Sequence, residues 1–282
     1  MVDLHLHTTA SDGLLKPEEV VDRANKAGIR TFSVTDHDTM AGVSAAAAAA
    51  SKLGLDFLPG IEVTAVIDGR DVHVLGYFLD ISPVGLDLFL RAQRQDRIAR
   101  ARAMAEKLKA LGMPIPIDSI VESTKAKKQS LARPLLARAL VDAGYVNGLK
   151  EAFDRWIGDR GPAYVPRKGS SPEDVVRLIS RAGGVSSLAH PGLLKRDDLV
   201  PSLKRAGLAA LEVYYPEHNR SKQSHYRKLA NRWKLLTTGG SDFHGDDHHR
   251  ASSFGSVGLP DEGFRLLAER LRAIHGAVHT RR

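Results

Sequence analysis

Val2-Asp3-Leu4-His5-Leu6-His7 decides how the rest of the chain is read. Its alternation has period two, so it is a strand that turns His5 and His7 to the same face. Asp12-Gly13 follows in the next turn. The arrangement recurs downstream. Thr35-Asp36-His37-Asp38 ends a second apolar run, Gly60-Ile61-Glu62-Val63 sets a carboxylate within a third, and Val72-His73-Val74 sets a histidine within a fourth. Later come Leu188-Ala189-His190-Pro191 and Ser241-Asp242-Phe243-His244, where Asp242 and His244 again share a face.

Working outward, β-type runs are expected at 2–6, 31–35, 57–66, 72–78, 185–188, 209–215, 235–238 and 254–259. Helical patterns at 17–27, 40–53, 172–182, 198–206, 220–233 and 262–274 separate most of them. Such alternation argues for an α/β fold with a parallel sheet, open or closed into a barrel. The alanine run at 45–50 reads as a tightly packed helix between two strands, because alanine has the highest helix propensity.

The chain has 282 residues and a formal charge of +8, from 41 Lys and Arg against 33 Asp and Glu. The excess is local: residues 91–168 carry 17 basic against 8 acidic residues, and the remainder carries 24 against 25. Leu86, Leu90, Ile98, Met104, Leu108 and Leu111 recur at helical spacing among five arginines until Gly112-Met113-Pro114 stops the helix. Further amphipathic stretches follow. The expected organisation is a barrel in two parts, 1–84 and 166–282, interrupted by a small basic helical insertion at 85–165. The arginine-rich helix is either a solvated face or a positive lid that attracts polyanions.

Composition removes several function classes. With no cysteine, thiol catalysis, thiolate metal sites and disulfides are excluded. No run reaches 18 consecutive apolar residues, and Met1-Val2-Asp3 is no basic-then-apolar leader, so a cytoplasmic protein without membrane contact or a stable protein partner is expected.

A lone strand histidine is usually a hydrogen-bonded core residue. Nine imidazole and carboxylate groups at predicted strand ends are a different matter, since at the C-terminal ends of parallel strands they converge on one mouth. The mixture suits Zn, Mn or Fe. A carboxylate bridging two ions would hold them close enough to activate a water and clamp a phosphoryl oxygen. His248 and His249 sit in a polar loop and read as solvated surface.

His5-x-His7 with Asp12, Thr35-Asp36-His37-Asp38, Gly60-Ile61-Glu62, His73, Ala189-His190-Pro191 and Ser241-Asp242-Phe243-His244 together resemble the motif set of the PHP (polymerase and histidinol phosphatase) metallophosphoesterases. The resemblance implies a distorted (β/α)7 TIM-like barrel with two or three divalent ions, Mn foremost and Fe or Zn also accepted. Carried over by position, His5, His7, Glu62 and Asp242 would hold one ion. Glu62 would bridge to a second on His73 and His190, and Asp12, His37 and His244 would hold the third. Glu62, Asp36, His37 and His244 are the expected catalytic residues. Asp36 is either the orienter of a ligating histidine or a strand-end cap.

Arg133-Pro134, Gly161-Pro162-Ala163-Tyr164-Val165-Pro166 and Glu212-Val213-Tyr214-Tyr215-Pro216-x-His218 are similar to the nucleotide-hydrolysing branch of that family. This implies a metal-dependent phosphatase of 3′,5′-nucleoside bisphosphates, with 5′-3′ trimming of short single-stranded RNA. Arg133 is expected to bind phosphate, a task suited to a planar guanidinium. Arg167, Lys168 and Tyr215 are further substrate candidates from position. Relatives often read Arg-Pro-His where this chain has Leu135. A histidinol-phosphate phosphatase and a non-catalytic nucleic-acid-binding module are the alternatives.

Overall fold

The computed structural model describes residues 1–126, 129–246, 248 and 250–279. The opening stretch forms β1 (Val2–Leu6), followed by α1 (Pro17–Lys26), β2 (Thr31–Val34), α2 (Val43–Leu53), β3 (Asp56–Phe57), β4 (Gly60–Ile67) and β5 (Arg70–Tyr77). The middle of the chain is helical: α3 (Leu86–Ala110), α4 (Ile117–Ala126), α5 (Arg133–Asp142) and α6 (Leu149–Ala152), whose end runs into a π-helical turn at Phe153–Ile157. Then come α7 (Pro172–Arg181), β6 (Val185–Leu188), α8 (Pro191–Leu194), α9 (Val200–Ala206), β7 (Ala210–Tyr214), α10 (Arg220–Arg232), β8 (Leu236–Gly239) and α11 (Asp261–His279).

The strands form two sheets, β1-β2-β3 and β4-β5-β6-β7-β8. The first is parallel, and β6-β7-β8 are parallel in the second. The expected all-parallel sheet is wrong at β5, which runs antiparallel to both β4 and β6. The reason is local: Asp68-Gly69 takes positive φ at both positions (50° and 72°), the conformation of a two-residue hairpin turn. Two other expectations need correction. The run at 57–66 is two strands in different sheets, and 254–259 is not a strand, pairing only through one bridge from Leu259 to Val2. No closed ladder joins the two sheets among the described residues; they meet through isolated parallel bridges, Leu6 to Phe243 and His37 to Glu62.

Every residue of β1 is buried. One face sends Val2 and Leu4 into apolar clusters, while the other turns Asp3 and His5 to the interior, where the β8 end meets them. That approach requires glycine: a Cβ at Gly240 would lie 2.5 Å from the His5 backbone nitrogen.

Two cores meet along α3. Leu86 and Leu90 pack with Val63 and Val74 of the sheet and Ile179 of α7. About three to five turns later Ala101, Met104 and Leu108 belong to a separate cluster with Val121, Leu136, Leu140 and Ile157. The helical segment therefore has a core of its own and is anchored to the sheets by its first long helix.

Candidate metal centre

All nine residues singled out in the sequence converge. Glu62, on β4, is the hub. Its Oε1 lies 3.0 Å from His73 Nδ1 and 3.1 Å from His190 Nε2. Its Oε2 lies 3.4, 3.2 and 3.1 Å from His5 Nε2, His7 Nε2 and His37 Nδ1. Asp242 Oδ1 closes the first cluster at 3.4 Å from His5 Nε2 and 3.2 Å from His7 Nε2. Asp12 faces His7, His37 and His244 at 3.5–3.7 Å. His190 departs from a plain strand end: at φ 29° it breaks from β6 to cap α8, which aims its ring at Glu62.

The donor set fits divalent ions. His7, Asp12, His37 and His244 could hold one, His5, His7 and Asp242 a second, and His37, Glu62 and His73 a third. His5 Nε2, His7 Nε2 and His37 Nδ1 are buried with no hydrogen-bond partner, which is costly unless something else satisfies them. Ligand atoms about 2.1 Å from a tetrahedral ion stand about 3.4 Å apart, close to the observed separations. Without an ion the charges rearrange through protons. Burial opposes a charge on His7, but Asp242, Glu62 and Asp12 overcome it and push its imidazole up to about 10. Burial drives His37 the other way, to about 3, despite Glu62 and Asp12.

Around this centre lies a set of supporting contacts. Fully buried Glu212 accepts from His5 Nδ1 at 2.8 Å and from the His190 backbone nitrogen at 2.7 Å. Holding the proton on His5 Nδ1 leaves Nε2 with its lone pair toward Glu62 and Asp242. Asp3 accepts from Ser241 through both nitrogen and hydroxyl, fixing the loop before Asp242. Arg250 Nη1 donates to Asp242 Oδ2 at 2.9 Å and its Nε to Glu217, leaving Oδ1 for the histidines. His248 stacks on His244 with ring centroids 4.7 Å apart, so it is part of the wall and not free surface. His249 lies outside the described residues.

In the sequence Glu212 stands out only as part of a family motif, and Arg250 carries no signal. Glu212 sits 207 residues along the chain from His5, whereas Arg250 is only eight residues from Asp242 but across an irregular loop. An amide at position 212 could accept from only one of its two donors. Glu212→Gln is therefore expected to weaken metal affinity by about 10–100-fold while turnover at saturating metal is largely kept. Metal titration followed by activity and bound-metal analysis checks this; unchanged affinity would remove Glu212 from the orienting role.

Several expected roles change. Asp36 touches no ligating histidine directly. It accepts from Thr8 nitrogen, Thr8 hydroxyl and Ser11 hydroxyl at 2.6–2.8 Å and so caps the loop that carries Asp12. Tyr215, a substrate candidate from position, is buried and donates its hydroxyl to Asp242 Oδ2 at 2.8 Å, which makes it a support of the centre. Arg167 is buried near Asp38 and Asp71, and Lys168 is exposed. Arg133 donates to Asp159 at 2.7 Å. Leu135 packs against the insertion core.

The PHP domain pattern matches residues 3–101. The chain is 34% identical to a 3′,5′-nucleoside bisphosphate phosphatase of Chromobacterium violaceum, over 86% of its own length and 87% of the relative. The chain belongs to the PHP family. It is 34% identical to a phosphoribosyl 1,2-cyclic phosphate 1,2-diphosphodiesterase of Eggerthella lenta (94% and 99% covered) and to the 5′-3′ exoribonuclease Rnm of Salmonella typhimurium (86% and 84%). A solved metal-dependent phosphoesterase structure from Bifidobacterium adolescentis superposes with TM-score 0.86 at 31% identity, covering 95% and 96%. This PHP chain is thus a metal-dependent hydrolase of phosphoesters with a mixed α/β fold. None of its described helices is long and apolar enough to cross a membrane.

Proposed function

We propose that the protein removes the 3′-phosphate from 3′,5′-nucleoside bisphosphates and also trims short RNA from its 5′ end. The observation that carries the reading is Glu62, one carboxylate facing five imidazoles. His5, His7, Glu62 and Asp242 would hold one ion, Glu62, His73 and His190 a second, and Asp12, His37 and His244 the third. Such ions supply Lewis acidity toward phosphoryl oxygens and lower the pKa of water; Mn is the leading candidate. The chain's own residues do the rest. Glu212 sets the His5 tautomer, and Tyr215 with Arg250 fixes the rotamer of Asp242.

Arg97, Arg100, Arg133 and Arg167 line a small cavity beside β5, near Asp71 and two residues from His73. Arg100 Nη2 and Arg167 Nη1 are buried there without an acceptor, a state that a phosphate oxygen would relieve. Arg133 must leave Asp159 to take part. The relatives support the nucleotide reading, and the same four cations argue against one small monoester such as histidinol phosphate. The two parallel bridges support reading the sheets as a distorted (β/α)7 barrel parted at its seams, with 85–165 as an insertion.

A cyclic phosphodiesterase is the second reading, favoured by 99% coverage of that relative. The test compares kcat/KM, with Mn²⁺ added, for a 3′,5′-bisphosphate, a 5′-monophosphate, a short 5′-phosphorylated RNA, a ribosyl 1,2-cyclic phosphate and histidinol phosphate. The bisphosphate is expected to lead; an optimum for the cyclic ester or histidinol phosphate would replace this reading.

A further inference from the structure

A groove of about 810 Å³ runs between α3, the start of α2 and the loop before α3. Its inner end is built on the metal-centre loops. Thr39, Met40 and Ala41 line it and follow directly on His37-Asp38. Gln129 also lines it and donates its side-chain amide to the Ser11 carbonyl, next to Asp12. Its outer wall carries Arg91 and Arg94, one turn apart on α3, neither with an ion-pair partner among the described residues, and Lys125 from α4. Asp87 is the one carboxylate in the lining. Ile81, Val84, Leu90 and Ile98 also line the groove.

Resting on the nucleotide reading above, we infer that this groove holds the downstream nucleotides of a single-stranded oligonucleotide whose 5′ end occupies the metal centre. The charge pattern is complementary: unpaired guanidiniums at helical spacing face a backbone bearing one phosphate per residue. The size fits, since pockets of roughly 300–1,000 Å³ enclose a drug-sized molecule and the metal centre with its arginine cluster already accounts for the first nucleotide. Among the described residues no aromatic side chain lines the groove, so bases have nothing there to stack on. The grip is then on phosphates, independent of sequence and sensitive to salt.

The test is a length series of 5′-phosphorylated oligoribonucleotides from two to six residues, with a 3′,5′-bisphosphate as reference. In the native protein kcat/KM is expected to rise at least about tenfold with length at low salt, and the rise to shrink as salt is added. Arg91→Glu/Arg94→Glu should erase the rise and leave bisphosphate turnover within about twofold, and Arg91→Gln/Arg94→Gln should fall between. Binding of a labelled hexamer, read by fluorescence anisotropy in a Glu62→Gln background, should weaken in parallel. A flat length series, a rise that survives both double variants, or an equal loss on the bisphosphate each overturns the groove. If the bisphosphate is turned over and no oligonucleotide is, the groove fails while the phosphatase reading stands; if neither is turned over, both fail.

Discussion

Glu62→Gln is expected to lower kcat at least about a thousandfold, roughly 4 kcal/mol of transition-state stabilisation, and to lower bound metal with it. The two effects arise together because the two oxygens of this side chain do different work. Oε1 faces His73 and His190, and Oε2 faces His5, His7 and His37. Burial alone would raise the carboxyl, yet the surrounding imidazoles hold it well below the usual carboxylate range, so the native group is an anion. An amide has the same shape but one acceptor and two donors, and it carries no charge. It cannot face both clusters as an acceptor. Elemental analysis of the purified variant and steady-state kinetics with added Mn²⁺ measure the two losses. Full activity with normal metal content would show that Glu62 does not bridge.

The second large effect is on stability. Arg97→Met leaves Asp38 as a fully buried carboxylate without its main partner, and removing one member of a buried pair costs about 3–5 kcal/mol. Arg97 reaches from α3 to Asp38 Oδ2 (Nε, 2.7 Å), Thr64 Oγ1 (3.1 Å) and the Leu131 carbonyl (3.3 Å). It therefore fastens the insertion to β4. At about 2–4 °C per kcal/mol for a chain of this size, Tm is expected to drop by roughly 10 °C. Burial opposes ionisation of Asp38, but Arg97 and Arg167 overcome it and lower its pKa. A lowered carboxylate stabilises the fold above its unfolded pKa of about 3.9, and that contribution fades as pH falls through the folded value. The gap between native and variant Tm should hold from pH 8 to 5 and narrow at lower pH, as the variant's Asp38 protonates first. Arg97→Met/Asp38→Asn should recover much of the loss at neutral pH. Thermal melts across pH read all three; a single-variant Tm within 2 °C of native would mean the pair is not a fastener.

The same arginine illustrates how much could be read in advance. Five arginines recur along the helix that begins at Leu86, and their spacing separates an apolar from a basic face. Nothing local tells Arg97 from Arg94. Arg97 is buried where its side chain reaches Asp38, Thr64 of β4 and the Leu131 carbonyl, while Arg94 one turn earlier lines an open groove. Tyr215 shows the converse. Its motif pointed to the site, but whether it meets substrate or Asp242 depends on β7 standing beside β8. Asp68-Gly69 is different again: a two-residue Asp-Gly turn is a hairpin signal in the sequence itself, and it dictates the antiparallel β5.

What the sequence determined by itself was chemistry and facing. Period-two spacing puts His5 with His7 on a shared face, since strand geometry alone sets that direction; Asp242 and His244 meet the centre instead from the loop after β8, where Asp242 takes a positive φ of 49°. Absence of cysteine confined any metal site to imidazole and carboxylate donors. Only the tertiary structure decided which groups meet. His5 and Glu212 are 207 residues apart and Asp38 and Arg97 are 59 apart. Such contacts are products of how sheets and helices pack, and a buried charge takes whichever partner that packing delivers.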